Sequence, residues 1–135
     1  YEIELFGNFT IFFSPEENHQ FVHLLRKKKN HFSSERRYIE IASKLLLNIL
    51  LKDILLGSKY GDDILKEIEQ LLKREGFYAE KMSAQFFKGI LMIQRNQKTD
   101  GEKLCNKSIQ FFYDFEENHK GKLYRQFLSE QLNHK

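Results

Sequence analysis

A chain of 135 residues with 22 Lys and Arg against 19 Asp and Glu can bury a substantial single-domain core, and its net charge of +3 is too mild to argue for nucleic-acid binding by this segment. One Pro and seven Gly leave little room for linkers, 13 Phe and no Trp predict a Phe-rich core, and the single Cys105 excludes an internal disulfide framework and suits a reducing cytosol. No apolar run reaches the length of a membrane span, because the longest, around Leu45 to Leu51, is broken by Asn48 and followed by Lys52 and Asp53.

Residues 2–13 carry Leu5, Phe6, Phe9, Phe12 and Phe13 at helical spacing. The run FTIFF would also suit a strand, but no partner strand follows to satisfy its backbone, so a first helix is predicted. Ser14-Pro15-Glu16-Glu17 is a start signal: Ser14 as cap, Pro15 at the first helical position, Glu17 closing a capping box. The second helix is predicted over 15–31, its last turns rich in cations (Arg26 to Lys29) that favour the negative end of the helix dipole. Ser33 or Ser34 would cap a third helix over 35–56, stopped by Gly57. A fourth over 62–75 opens on Asp62 and Asp63, buries Ile64, Ile68, Leu71 and Leu72, and ends at Gly76. A fifth covers 78–96. Lys98-Thr99-Asp100 make a turn into a sixth over 101–117, and His119-Lys120-Gly121 lead to a seventh over 122–133. Short connections imply antiparallel neighbours.

The stretch Met82 to Phe115 is the most telling. Gly89 interrupts an apolar helix, and Gly101, Cys105 and Ser108 line the next one at spacings of four and three. A helical glycine costs about 1 kcal/mol relative to alanine, so Gly89 needs a reason, and close helix–helix contact supplies one. Small residues facing small residues mark a tetratricopeptide-like hairpin. The expected fold is therefore all-α: a tetratricopeptide-like right-handed helical-repeat solenoid of about three hairpins plus a C-terminal helix, forming one domain over 1–135. Such solenoids bind peptides or proteins on a concave face.

Catalytic signals are missing. His19 and His23 stand one helical turn apart, but no third metal ligand is evident and His31 lies too far along. Cys105 sits on the small-residue stripe with no neighbouring His, which reads as packing. The acid pairs Asp62/Asp63 and Glu116/Glu117 lie at helix ends and read as capping and solvation. With no phosphate loop, nucleophile elbow or CxxC, the sequence predicts no enzyme, no metal and no cofactor.

Asn48 interrupts LLLNILL and shares a polar stripe with Arg37, Lys44 and Lys52. Two readings stand side by side: the exposed face of a helix otherwise buried, or the lining of a groove. A carboxamide both donates and accepts, so it suits the backbone of an extended peptide, and neighbouring cations suit an acidic group or a C-terminal carboxylate. With Gly89 at the close contact, Ser83, Phe86, Ile90 and Ile93 are left as candidates for the same groove, or as plain core. The last helix has no hairpin partner. Its stripe of Tyr124, Phe127, Leu128 and Gln131 must cap the solenoid or meet a second copy in a homodimer.

YEIELFGNFTIFFSPE, SKLLLNILLKDI and FFKGILMIQRNQKTDGEKLCNKSIQFF, taken in order, resemble the C-terminal domain of the Rgg/GadR/MutR transcriptional regulators over nearly the whole chain. The resemblance implies a helix-turn-helix DNA-binding domain upstream of Tyr1, which fits a chain that opens without Met. It implies a cytoplasmic regulatory domain that binds short peptide pheromones in quorum sensing and dimerises, with Asn48 contacting peptide backbone. DNA would be met through the upstream domain alone. The rival reading is a protein–protein interaction scaffold without a small effector.

Overall fold

A computed structural model describes residues 14–32, 35–57 and 59–133, and over 25–32 the helical backbone alone. The described residues form six α-helices and no strand: α1 (Pro15–Phe32), α2 (Arg36–Leu55), α3 (Gly61–Leu71), α4 (Tyr78–Gln94), α5 (Lys98–Asp114) and α6 (Asn118–Asn133). The helix expected over 2–13 lies outside them, as do the caps expected at Ser33 and Ser34. The chain divides into two compact units, 1–80 and 81–135.

In the first unit, α1 packs on both α2 and α3. Its start is the capping box. The Glu17 N–H donates to Ser14 Oγ at 3.1 Å, and the Ser14 N–H donates back to Glu17 Oε1 at 3.0 Å. That returning bond holds the Glu17 carboxyl below its ordinary value. Ile39, Ala42, Leu46, Ile49 and Leu50 of α2 and Ile64, Ile68 and Leu72 of the α3 segment supply the core. Gly57, at φ +103°, stops α2, and its N–H donates to Ile54 O. Asp53 is buried, and its carboxylate accepts the Tyr60 N–H at 3.1 Å, which ties the end of α2 to the turn opening α3.

The fourth predicted helix is too long. α3 ends at Leu71 with Leu72 as its cap, because Lys73-Arg74-Glu75 offer nothing further to bury. Gly76 is not that cap. At φ +90° it forms, with Phe77 at φ +56°, a left-handed elbow into α4.

In the second unit, α4 and α5 meet at the small residues. A Cβ on Gly89 would lie 2.6 Å from both Cys105 Sγ and the Gly101 carbonyl oxygen, and one on Gly101 would collide with the Gly89 carbonyl. The glycines of the two helices thus answer each other. α5 and α6 begin three and four residues earlier than expected, at Lys98 and Asn118. Lys98-Thr99-Asp100 is a first helical turn, and Asp100 there suits the helix dipole. The real turns are closed by Asn96 and Glu116, both left-handed at φ +66° and +63°. In each, two successive N–H groups reach back to the preceding helix: Asn96 to Ile93 O and Gln97 to Met92 O, then Glu116 to Tyr113 O and Glu117 to Phe112 O.

A register absent from the sequence reading follows. Helices begin at 78, 98 and 118, and left-handed residues stand at 76, 96 and 116. Gly101 and Gly121 share the same interval, each packed back on the helix before it, on Ile93 and on Tyr113.

Candidate functional site

The outward face of α2 is built by the periodicity of its sequence. Leu45, Leu46, Leu47, Ile49 and Leu50 are buried, and Asn48 among them is exposed. Arg37 and Lys44 are exposed on the same helix, and Lys52 is half-buried. Ile41 and Leu51, both half-buried, and Leu55, 61% exposed, interleave with them. At 1.5 Å per residue, Arg37 and Lys52 bracket roughly 22 Å of helix. The face thus presents hydrogen-bonding and cationic heads on an aliphatic floor.

The candidates on α4 lie elsewhere in character. Ser83, Phe86 and Ile90 are fully buried and Ile93 is half-buried. Ser83 Oγ accepts a 2.8 Å bond from the Tyr124 hydroxyl, and the Phe86 ring stacks on Tyr124 at 4.2 Å and meets Phe127 edge-on at 6.1 Å. These contacts are internal to the second unit. The stripe of α6 turns the same way: Leu128 is buried, and the Gln94 amide donates to Gln131 Oε1 at 3.2 Å. Two groups that sequence alone puts on separate surfaces therefore share one aromatic cluster.

His19 stacks on Tyr60 with ring centroids 4.0 Å apart, meets His23 edge-on at 4.6 Å, and places Nε2 3.3 Å from Asp63 Oδ2. Among the described residues no group of three or more His, Cys, Asp or Glu is placed to hold a metal. Cys105 is buried, its thiol donating to the Phe86 carbonyl at 3.3 Å, and burial pushes its pKa up to about 12. A neutral, enclosed thiol is a packing group and a poor nucleophile.

A family model described as the C-terminal domain of the helix-turn-helix (HTH)-type transcriptional regulator Rgg matches residues 1–126. The chain belongs to this Rgg family. No curated protein and no solved structure matches it. The Rgg domain is a regulator domain, and its family is one of transcriptional regulators. No helix among its described residues is long and apolar enough to cross a membrane.

Sequence reasoning missed two features of this Rgg domain. One is the partnership of Ser83 with Tyr124, a contact across 41 positions with no local signal. The other is Arg36, whose guanidinium lies 4.4 Å from the centroid of the Phe77 ring. A Gly-aromatic pair just ahead of a helix start was the available hint.

Proposed function

We propose that this Rgg domain is the effector-binding and dimerisation part of a cytoplasmic bacterial transcriptional regulator, and that its effector is a short signalling peptide of the quorum-sensing kind. The observation that carries the reading is Asn48: a carboxamide held out to solvent from the middle of a helix whose neighbouring positions are buried. Placed on a well-packed helix, it is pre-organised to bond peptide backbone at low entropic cost. Arg37, Lys44 and Lys52 add charge for a carboxylate, and Ile41, Leu51 and Leu55 add apolar contact. Because Ser83 and Phe86 already have partners and Ile90 is fully buried, the reading rests on the α2 residues, with Ile93 the least enclosed of the α4 set. The 20-residue register of helix starts is in keeping with a tetratricopeptide-like helical repeat, with a longer repeat per hairpin than the roughly 34 residues of that family. DNA is met by a helix-turn-helix segment upstream of Tyr1. Homodimerisation belongs to the same reading. With Tyr124, Leu128 and Gln131 engaged inside their own unit, the half-exposed Leu123 is the apolar residue of α6 left to a partner copy.

The test is titration calorimetry with synthetic hydrophobic octapeptides bearing free C-terminal carboxylates, against the wild-type domain and Asn48→Ala. Binding that weakens about tenfold or more in the variant, with unchanged melting, supports the reading. Equal affinity for both removes Asn48 from the site. No binding by the wild-type domain returns the scaffold reading.

A further inference from the structure

We propose that Arg36 is a latch that holds the Gly76–Phe77 elbow closed. Two successive residues there adopt left-handed backbone, φ +90° and φ +56°. Glycine does so freely, but a bulky aromatic residue does not, and such a conformation persists only where its surroundings over-determine it. Phe77 is nevertheless 6% exposed. Over one face of its ring lies Arg36, the first residue of α2, its Cζ 4.4 Å from the ring centroid. The same guanidinium roofs the neighbouring residue, since a Cβ on Gly76 would lie 3.1 Å from Arg36 Nη2. Arg36 therefore does two things at once. It attracts the ring face as a cation, and it occupies the space that only a glycine at position 76 leaves open. Glu40, one turn along α2, orients the guanidinium from 4.0 Å away at an exposed site where the ion pair itself is weak. With Arg36 withdrawn, Phe77 relaxes to negative φ and its ring leaves the core of the first unit. The Arg36 side chain, itself 67% exposed, thus biases the elbow from its outer side.

Limited chymotrypsin digestion, with cleavage mapped by mass spectrometry, reads the elbow directly at the bond after Phe77. Arg36→Ala is expected to raise cleavage there at least tenfold while cleavage after Phe86 and Phe87 stays at the wild-type rate. Arg36→Lys, which keeps the charge and loses the planar face, falls between the two. Gly76→Ala, which crowds the guanidinium and disfavours φ +90°, opens the elbow likewise, and joining it to Arg36→Ala adds little because both break one latch. Should Arg36→Ala not fold, Arg36→Lys gives the same readout. An unchanged rate at Phe77, an equal rise at Phe86 and Phe87, or independent effects in the double variant would overturn the proposal.

Discussion

The Tyr124 hydroxyl donates a 2.8 Å hydrogen bond to Ser83 Oγ, and the same tyrosine ring stacks on Phe86 one turn further along α4. This pair fastens α6 to α4 across the second unit. Lys120 Nζ lies over the rings of Phe112 and Tyr124, at 5.0 and 5.7 Å, and so closes the cluster from the α6 side. Tyr124→Phe keeps the stacking and removes the bond. It is expected to cost about 1 kcal/mol, seen as a lower urea midpoint with an unchanged slope.

Gly89→Ala tests the closest approach in the second unit. Helix propensity alone favours alanine by about 1 kcal/mol. The added Cβ, however, meets Cys105 Sγ and the Gly101 carbonyl at 2.6 Å, and that backbone atom does not yield easily. Overpacking of this kind costs about 1–3 kcal/mol, so a net loss of stability is expected by thermal or urea unfolding. Adding Cys105→Ala relieves one of the two contacts and restores part of the loss.

Two substitutions two residues apart on α2 should behave oppositely. Leu50 is fully buried, and Leu50→Ala is expected to cost about 2–5 kcal/mol. Asn48 is exposed, and Asn48→Ala should leave stability within about 0.5 kcal/mol. Urea melts of both variants check the contrast. A large loss at Asn48 would move it from the surface face to the core.

Alkali should unfold the second unit through two buried acids. Burial pushes the Cys105 thiol from 9.0 up to about 12 and the Tyr124 hydroxyl from 10.0 up to about 12. Both are neutral when protonated, so the folded state binds these protons more tightly than the unfolded chain. The stability they confer is whole below pH 9, falls as the unfolded groups ionise above 9 and 10, and is gone by about 12. Melting temperature measured from pH 8 to 12 should drop across that window, and Cys105→Ala should flatten its lower part. Thiol reagents should react with Cys105 only as the chain unfolds.

Local chemistry was legible in the residues. Ser14 and Glu17 announce their capping box, Gly57 its stop, and Gly89 with Gly101 and Cys105 their close contact, because each is decided by atoms within a turn or by a steric demand only small residues meet. What escaped reading was decided otherwise. The left-handed turns at Asn96 and Glu116 carry side chains where a glycine would have flagged them, so α5 and α6 start earlier than glycine-based punctuation suggests. Gly76, a plausible helix stop, serves an elbow because the residues before it have no core to reach. The candidate site split for the same reason. Asn48 stands out against its helical neighbours, but whether Ser83 and Phe86 face a groove or a core depends on where α6 lies, which no local pattern encodes.

The common interval of helix starts at 78, 98 and 118 makes the second unit a structure with parity. Each three-residue turn after a 17-residue helix reverses the chain and returns it to the same register. A segment of one interval spliced in after Glu116 would inherit a left-handed turn at either end and send the C-terminus to the opposite end of the unit. Two such segments would bring it back. Growth by odd and even steps would thus choose which end of the bundle carries the tail.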